Sequence, residues 1–280
     1  MTANRPLSDD AVDITSATDT AFGSFRTLWN WRFLTWALTV RDVKLRYKQT
    51  VLSFGIVILR PLLSAVIMAF VLGSVANLST GEIPIFVFGF VGSIIWFYFN
   101  YALSNSAMSL LKESDTISKV HVPHFIPVLA GTFSTYVDFM VSFIVLVVYL
   151  LVSGFTPGWT IVLAPFIALA TPLSVLAYSL FLAPLTGLFR DFRELTNLIL
   201  QFLLFLTPVY YPFDKVPALF QPVLALNPAL WVIELFRASV LGQMTCDPFW
   251  IWVSLGSTLV SCVIGIRFFR ALDRVLIDFL

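Results

Sequence analysis

IPIFVFGFVGSIIWFYFNYALSNSAMSLL, residues 83–111, runs for 29 positions without one charged side chain. A helix needs about 20 apolar residues to cross a bilayer core, so this run is long enough to do it alone. Working outward, the same count finds residues 61–81 upstream, extended back to about 52 if Arg60 is accommodated. Downstream it finds 125–153, which carries a single acid, Asp138, and a run from 155 to 189 set off by the break Gly154-Phe155-Thr156-Pro157-Gly158. That fourth span starts near Trp159; residues 195–213 supply a fifth and 248–266 a sixth.

Composition agrees. The 280 residues are 59% hydrophobic and only 12% charged, against roughly 25% charged in soluble domains, and the mean hydropathy is +0.90. The sequence therefore predicts an all-α, polytopic integral membrane protein of the cell membrane. Nothing in it supports nucleic-acid binding. Residues 1–27 are polar, with Asp9, Asp10, Asp13 and Asp19 and no apolar core of a signal peptide, and read as a flexible cytosolic tail. Cys246 and Cys262 suggest neither a disulfide nor a metal site.

Residues 216–233 are uncharged but short, and are interrupted by Pro217, Pro222 and Pro228. Cation placement decides how to count them. With six spans and both termini cytosolic, the inside holds the seven Lys and Arg before the first span, Lys112, Lys119, Arg190, Arg193, Arg267, Arg270 and Arg274. Only Lys215 and Arg237 fall outside, and Arg60 stays in the membrane. A seventh span would reverse the last three arginines, so the positive-inside bias selects six. Residues 212–247 are then an external or re-entrant segment. The division this predicts is a tail at 1–27, an interface helix at 28–50, a six-span domain at 51–270 and a cytosolic tail at 271–280.

Before the first span, Trp29, Phe33, Trp36, Val40, Val43 and Tyr47 recur at steps of four and three, one apolar stripe on a helix whose other faces carry Arg41, Asp42, Arg46 and Lys48. Such a helix can lie on a membrane surface with its cations facing lipid headgroups or a partner protein. No Gly is followed by Lys anywhere, so the phosphate-cradling GxxxxGK[ST] loop is absent, and any ATP-driven role needs a second protein.

Arg60 and Asp138 are the intramembrane charges; the two can pair, or Arg60 can snorkel to the cytosolic surface. His121 and His124 sit in a short loop lacking further ligands, a solvated connection more than a metal site. Trp96, Phe97, Tyr98, Phe99 and Tyr101 form a dense aromatic run, and Tyr210 and Tyr211 close the fifth span. Aromatic faces stack on sugar rings, which makes Trp96, Tyr98, Phe99, Tyr101, Tyr210 and Tyr211 candidates for a glycan channel; packing and interfacial belts are the competing use. The external acids Glu82, Asp214, Glu234 and Asp247 are scattered, with no evident catalytic partner.

Arg41-Asp42-Val43-Lys44-Leu45-Arg46-Tyr47-Lys48-Gln49-Thr50-Val51-Leu52, followed by Leu59-Arg60-Pro61-Leu62, resembles the opening of the membrane subunits of polysaccharide-exporting ABC transporters. These are the O-antigen, capsule and teichoic-acid permeases of the Wzm, KpsM and TagG type. The resemblance continues through Ile117-Ser118-Lys119-Val120, Val137-Asp138-Phe139, Arg190-Asp191, Thr207-Pro208-Val209-Tyr210-Tyr211-Pro212, Leu226-Asn227-Pro228 and Glu234-Leu235-Phe236-Arg237. It departs at Leu52-Ser53-Phe54-Gly55-Ile56 and Arg60, where members often carry Leu-Gly-x-x-Trp and a Gln before the proline.

The resemblance implies a homodimer bound to two copies of a separate ABC ATPase, with ATP and Mg held by that partner and no cofactor or enzymatic activity here. It implies ATPase contacts on the amphipathic helix and the 112–124 loop, for which Arg41, Lys44, Arg46, Lys48, Glu113, Asp115 and Lys119 are the candidates, and short re-entrant helices over 213–247. The implied substrate is a polyprenyl-diphosphate-linked glycan, closest to O-antigen or galactan, moved from cytosol to cell surface. An ion-coupled flippase of such glycans, or an ABC exporter of a lipid or drug, is the alternative.

Overall fold

The computed structural model describes residues 29–48, 51–81, 83–113, 122–154, 158–189 and 191–279, through which eleven α-helices run. The expected tail 1–27, Glu82, Asp115, Lys119, His121 and Arg190 lie outside the described residues. In chain order, α1 is Arg32–Tyr47, α2 Val51–Met68, α3 Ile85–Ala107, α4 Ser109–Lys112, α5 Phe125–Ser134 and α6 Tyr136–Val152. Then come α7 Ala164–Leu188, α8 Phe192–Leu206, α9 Gln221–Ala225, α10 Pro228–Leu241 and α11 Pro248–Phe279. There is no strand among the described residues.

Among the described residues, five stretches are long and apolar enough to cross a membrane: Phe54–Val75, Ile85–Ala107, Phe125–Val152, Trp159–Leu188 and Pro248–Asp273. They fall on five of the six expected spans. The region expected as the fifth, 195–213, is instead the 15-residue helix α8 followed by non-helical backbone from Thr207. At 1.5 Å per residue α8 is about 22 Å long, short of a bilayer core of about 30 Å. The last helix runs the other way. At 32 residues, or about 48 Å, α11 exceeds the core, and positions 271–279, expected as a tail, continue it.

α3 is the central helix. Of its span 72% is buried, against 11% for α2, whose apolar side chains face outward where lipid is the solvent. Burial on all sides requires close approaches, and glycines supply them. A Cβ on Gly92 would lie 2.5 Å from the Val209 carbonyl oxygen, and one on Gly131 of α5 would lie 3.0 Å from Ser106 Cα. Pro61 interrupts the ladder of α2 and frees the Val57 carbonyl; the Ser142 hydroxyl of α6 donates to it at 3.4 Å, a repair from a neighbouring helix.

The segment between α8 and α11 folds back on itself. Asn227 caps α10, its side chain accepting from Ala229 N–H at 2.9 Å with Pro228 at the first helical position, and Gly242 ends the helix in the left-handed region at φ 70°. Asn227 sits beside Ser254, whose hydroxyl donates to its carbonyl at 2.7 Å, and the Trp231 indole donates to Thr258 at 3.1 Å. The turn before α10 thus lies two to three helical turns along α11 from Pro248, and α10 runs back toward that end. Phe213 also reaches that end, its N–H donating to Thr245 Oγ1 at 3.2 Å.

Arg237, counted as an external charge from sequence, is fully buried in this hairpin. It pairs with Glu234, donates to the Pro208 and Val209 carbonyls at 3.1 and 3.0 Å, and lies 3.7 Å over the Phe88 ring. Glu234 in turn accepts from the Thr245 hydroxyl at 2.9 Å. These two residues are the clasp of the hairpin, because their charges are far more costly unpaired than paired.

Candidate functional site

The amphipathic helix does form, as α1, but its contacts sort differently from its stripe. Leu38 is buried with Leu110, Phe125 and Ile126, and Trp31 and Leu34 pack beside them. Trp29, Phe33 and Trp36 are 57, 70 and 68% exposed, with the Arg32 guanidinium 4.3 Å over Trp29 and 4.5 Å over Phe33. The aromatic face therefore points away from the chain.

Two of the cations expected to face a partner are used internally. Arg41 pairs with Glu113 and with Asp42 Oδ1 at 2.9 Å, and the Glu113 carboxylate raises the guanidinium above its ordinary pKa. Arg46 Nη1 donates to Asp138 Oδ2 at 2.6 Å, and the Tyr47 hydroxyl donates to Asp138 Oδ1. Burial, followed by that bond, raises the Tyr47 phenol pKa. Glu113 is buried under Arg41, while Lys44 and Lys48 remain exposed. α1 is thus clamped at one point to the α4 corner and at another to the first turn of α6.

The pairing of Arg60 with Asp138 is not made. Asp138 takes the two α1 donors, and Arg60 lies 4.8 Å over the Tyr101 ring. Both residues nevertheless line one cavity of about 500 Å³, within the range of ligand-sized sites. α3 supplies its back wall through Ile94, Phe97, Tyr98, Tyr101, Ser104 and Asn105, whose spacing of three, one, three, three and one is a single helix face. α2 closes one side with Val57, Arg60 and Pro61, and α8 the other with Arg193, Thr196 and Asn197. Lys112 reaches in from α4 and donates to Asn105 Oδ1 at 2.5 Å, while Thr186 comes from the end of α7.

Of the six aromatics read as channel candidates, Tyr98 and Tyr101 reach this cavity, along with Phe97. Trp96 and Phe99 do not. They stack on each other at 5.8 Å inside the protein core, with Tyr178 edge-on to Phe99. Tyr210 is buried and hydrogen-bonded to Ser64, and Tyr211 donates to the Phe205 carbonyl at 2.9 Å. His124 is engaged as well, with its Nδ1 2.6 Å from Asp273 Oδ1. The residues that sequence reasoning missed are Ser104, Asn105, Thr186, Thr196 and Asn197; the polar stripe on α3 was legible at helical spacing, whereas the contributions of α7 and α8 come through space.

Residues 34–241 match the model of the ABC-2 type transporter membrane family. This chain belongs to that family. It is accordingly a multi-pass membrane protein of the cell membrane, as the apolar helices require. This ABC-2 transporter chain is similar to the O-antigen export system permease protein RfbA of Klebsiella pneumoniae, 27% identical over 239 residues that cover 84% of this chain and 90% of that protein. It is also similar to RfbA of Myxococcus xanthus, 26% identical over 215 residues, 76% of this chain and 82% of that one.

Proposed function

We propose that this chain is the permease of an ABC exporter that moves a lipid-linked polysaccharide, of the O-antigen or galactan kind, from the cytosol across the cell membrane. The observation that carries the proposal is the similarity to O-antigen export permeases along more than three quarters of the chain. ATP is hydrolysed by a separate subunit, since the sequence has no phosphate loop of its own. Two copies of the chain and two ATPase subunits make the transporter. Lys44 on α1 and Lys48 just after it are exposed cations available to the ATPase, together with the 112–124 loop. In this reading the chain crosses six times. The fifth crossing is α8 completed by the irregular, turn-containing backbone from Thr207 to Phe213, and the hairpin ending in α10 closes the outer side.

Depleting the protein tests the function. Finished lipid-linked polymer should accumulate on the cytosolic face while surface polymer falls; short or absent polymer would instead mean a role in synthesis.

A further inference from the structure

We propose that α11 is a rod tying the corner between α4 and α5 to the hairpin, and that His124 and Asp273 are the positioning residues at its corner end. The proposal rests on the export reading above, which gives the 112–124 connection to the ATPase. Length is the first observation. With no proline after Pro248, α11 runs for 32 residues, about 48 Å, well past the roughly 30 Å of a bilayer core. Its extra turns are packed. Phe269 and Leu276 are fully buried, in one apolar cluster with Leu110 of α4 and with Val122 and Phe125 at the start of α5. A Cβ on Gly187 of α7 would lie 3.0 Å from Leu276 Cδ2 and 3.6 Å from Leu110 Cδ1, so the two leucines meet the same spot. The His124 Nδ1–H then donates to Asp273 Oδ1 at 2.6 Å, with the imidazole only 9% exposed. α11 therefore braces the corner on both sides of the connection.

The opposite end of α11 holds the hairpin. Ser254 donates to the Asn227 carbonyl and accepts from the Trp231 N–H at 3.2 Å, while the Trp231 indole donates to Thr258. About 22 Å of continuous helix separates Thr258 from Asp273. A helix passes displacement along its axis, because shortening it breaks its own hydrogen bonds, and rigid elements of this kind carry coupling between distant sites. Apolar packing by Phe269 and Leu276 supplies most of the attachment; one hydrogen bond adds little net stability but fixes direction and distance. A shift of the corner driven by the ATPase thus reaches the hairpin through α11, and the His124–Asp273 bond sets where the rod is pushed.

Asp273→Ala tests this in the full chain assembled with its ATPase, by surface polymer in cells at matched expression and by ATP hydrolysis of the complex in lipid nanodiscs. Polymer should fall by about fivefold, the lower end of coupling between distant sites, with hydrolysis near that of the unaltered complex. His124→Ala should do the same, and the double variant no more, since one contact is lost in each case. His124→Asn should keep most of the export, because its amide nitrogen replaces Nδ1 as donor. Thr258→Val, which removes the hydrogen bond at the other end of the rod, should reproduce the loss. Full export in Asp273→Ala or in Thr258→Val overturns the proposal, and so do polymer and hydrolysis falling in proportion, the mark of a folding contact. Should Asp273→Ala not assemble with the ATPase, Asp273→Leu, which fills the space without accepting a hydrogen bond, takes its place; failure of both to assemble also overturns the proposal. Depletion of the unaltered protein that leaves surface polymer unchanged sinks the export reading instead, so the two fail separately.

Discussion

Gly92 shows how one missing side chain sets the end of the molecule that holds the hairpin. A Cβ there would meet Val209 O at 2.5 Å and Arg237 Nη2 at 2.8 Å, and both of those atoms are held: the guanidinium donates to that same carbonyl while pairing with Glu234. Neither neighbour can yield without loosening the clasp. Gly92→Ala should therefore lower stability by about 1–3 kcal/mol, as overpacking does, read as a lower thermal midpoint in detergent; an unchanged midpoint would mean that the clasp tolerates displacement. Very little of this was visible in the residues alone. Glu234-Leu-Phe-Arg237 stood out only through a family pattern, and a pair three positions apart on a helix is ordinarily an exposed one. Burial, the property that changes its meaning, is set by the surrounding α3 and the Pro208–Val209 turn. Arg60 and Asp138 failed for the same reason, since the partner of Asp138 lies 92 positions away on α1.

Among the elements, the helices that follow unbroken uncharged runs were legible, and α3 occupies most of the run read for it. The fifth run misled because its apolar composition continues through Thr207-Pro208-Val209-Tyr210-Tyr211-Pro212, where prolines end the helix at Leu206. α1 was legible as an amphipathic helix, but not in which of its cations are spent. Because Arg46 clamps α1 to α6 and Lys44 and Lys48 stay exposed, the two sets should separate experimentally. Arg46→Glu should raise hydrogen exchange along α1 and reduce export, and adding Asp138→Arg should restore both in part by re-forming the pair in reverse. Lys44→Glu with Lys48→Glu should leave exchange in α1 unchanged and weaken co-purification of the ATPase. If the reversed pair restores nothing, the Arg46–Asp138 contact is not what holds the helix.

At the scale of the whole molecule, the number of crossings decides on which side the hairpin lies. The burial of Arg237 removes it from the count of external loop charges, leaving Lys215 as the cation expected outside, and so strengthens the bias that favours six crossings. α8 alone is about 22 Å long, but the chain from Phe192 to Phe213 ends beside Thr245, three residues before α11 begins. Backbone that is not helical is tolerated at membrane depth only where protein surrounds it, and Val209, Tyr210 and Phe213 are all buried against the rest of the chain. On the proposed six-crossing topology, the fifth crossing is completed without a full-length helix. In a background with Cys246→Ser and Cys262→Ser, an impermeant thiol reagent should label Lys215→Cys only from outside the cell. Arg193→Cys should become reactive only after the membrane is opened. Labelling of both positions from the same side would mean that α8 does not cross, which would place the hairpin and the cavity at the same face of the membrane.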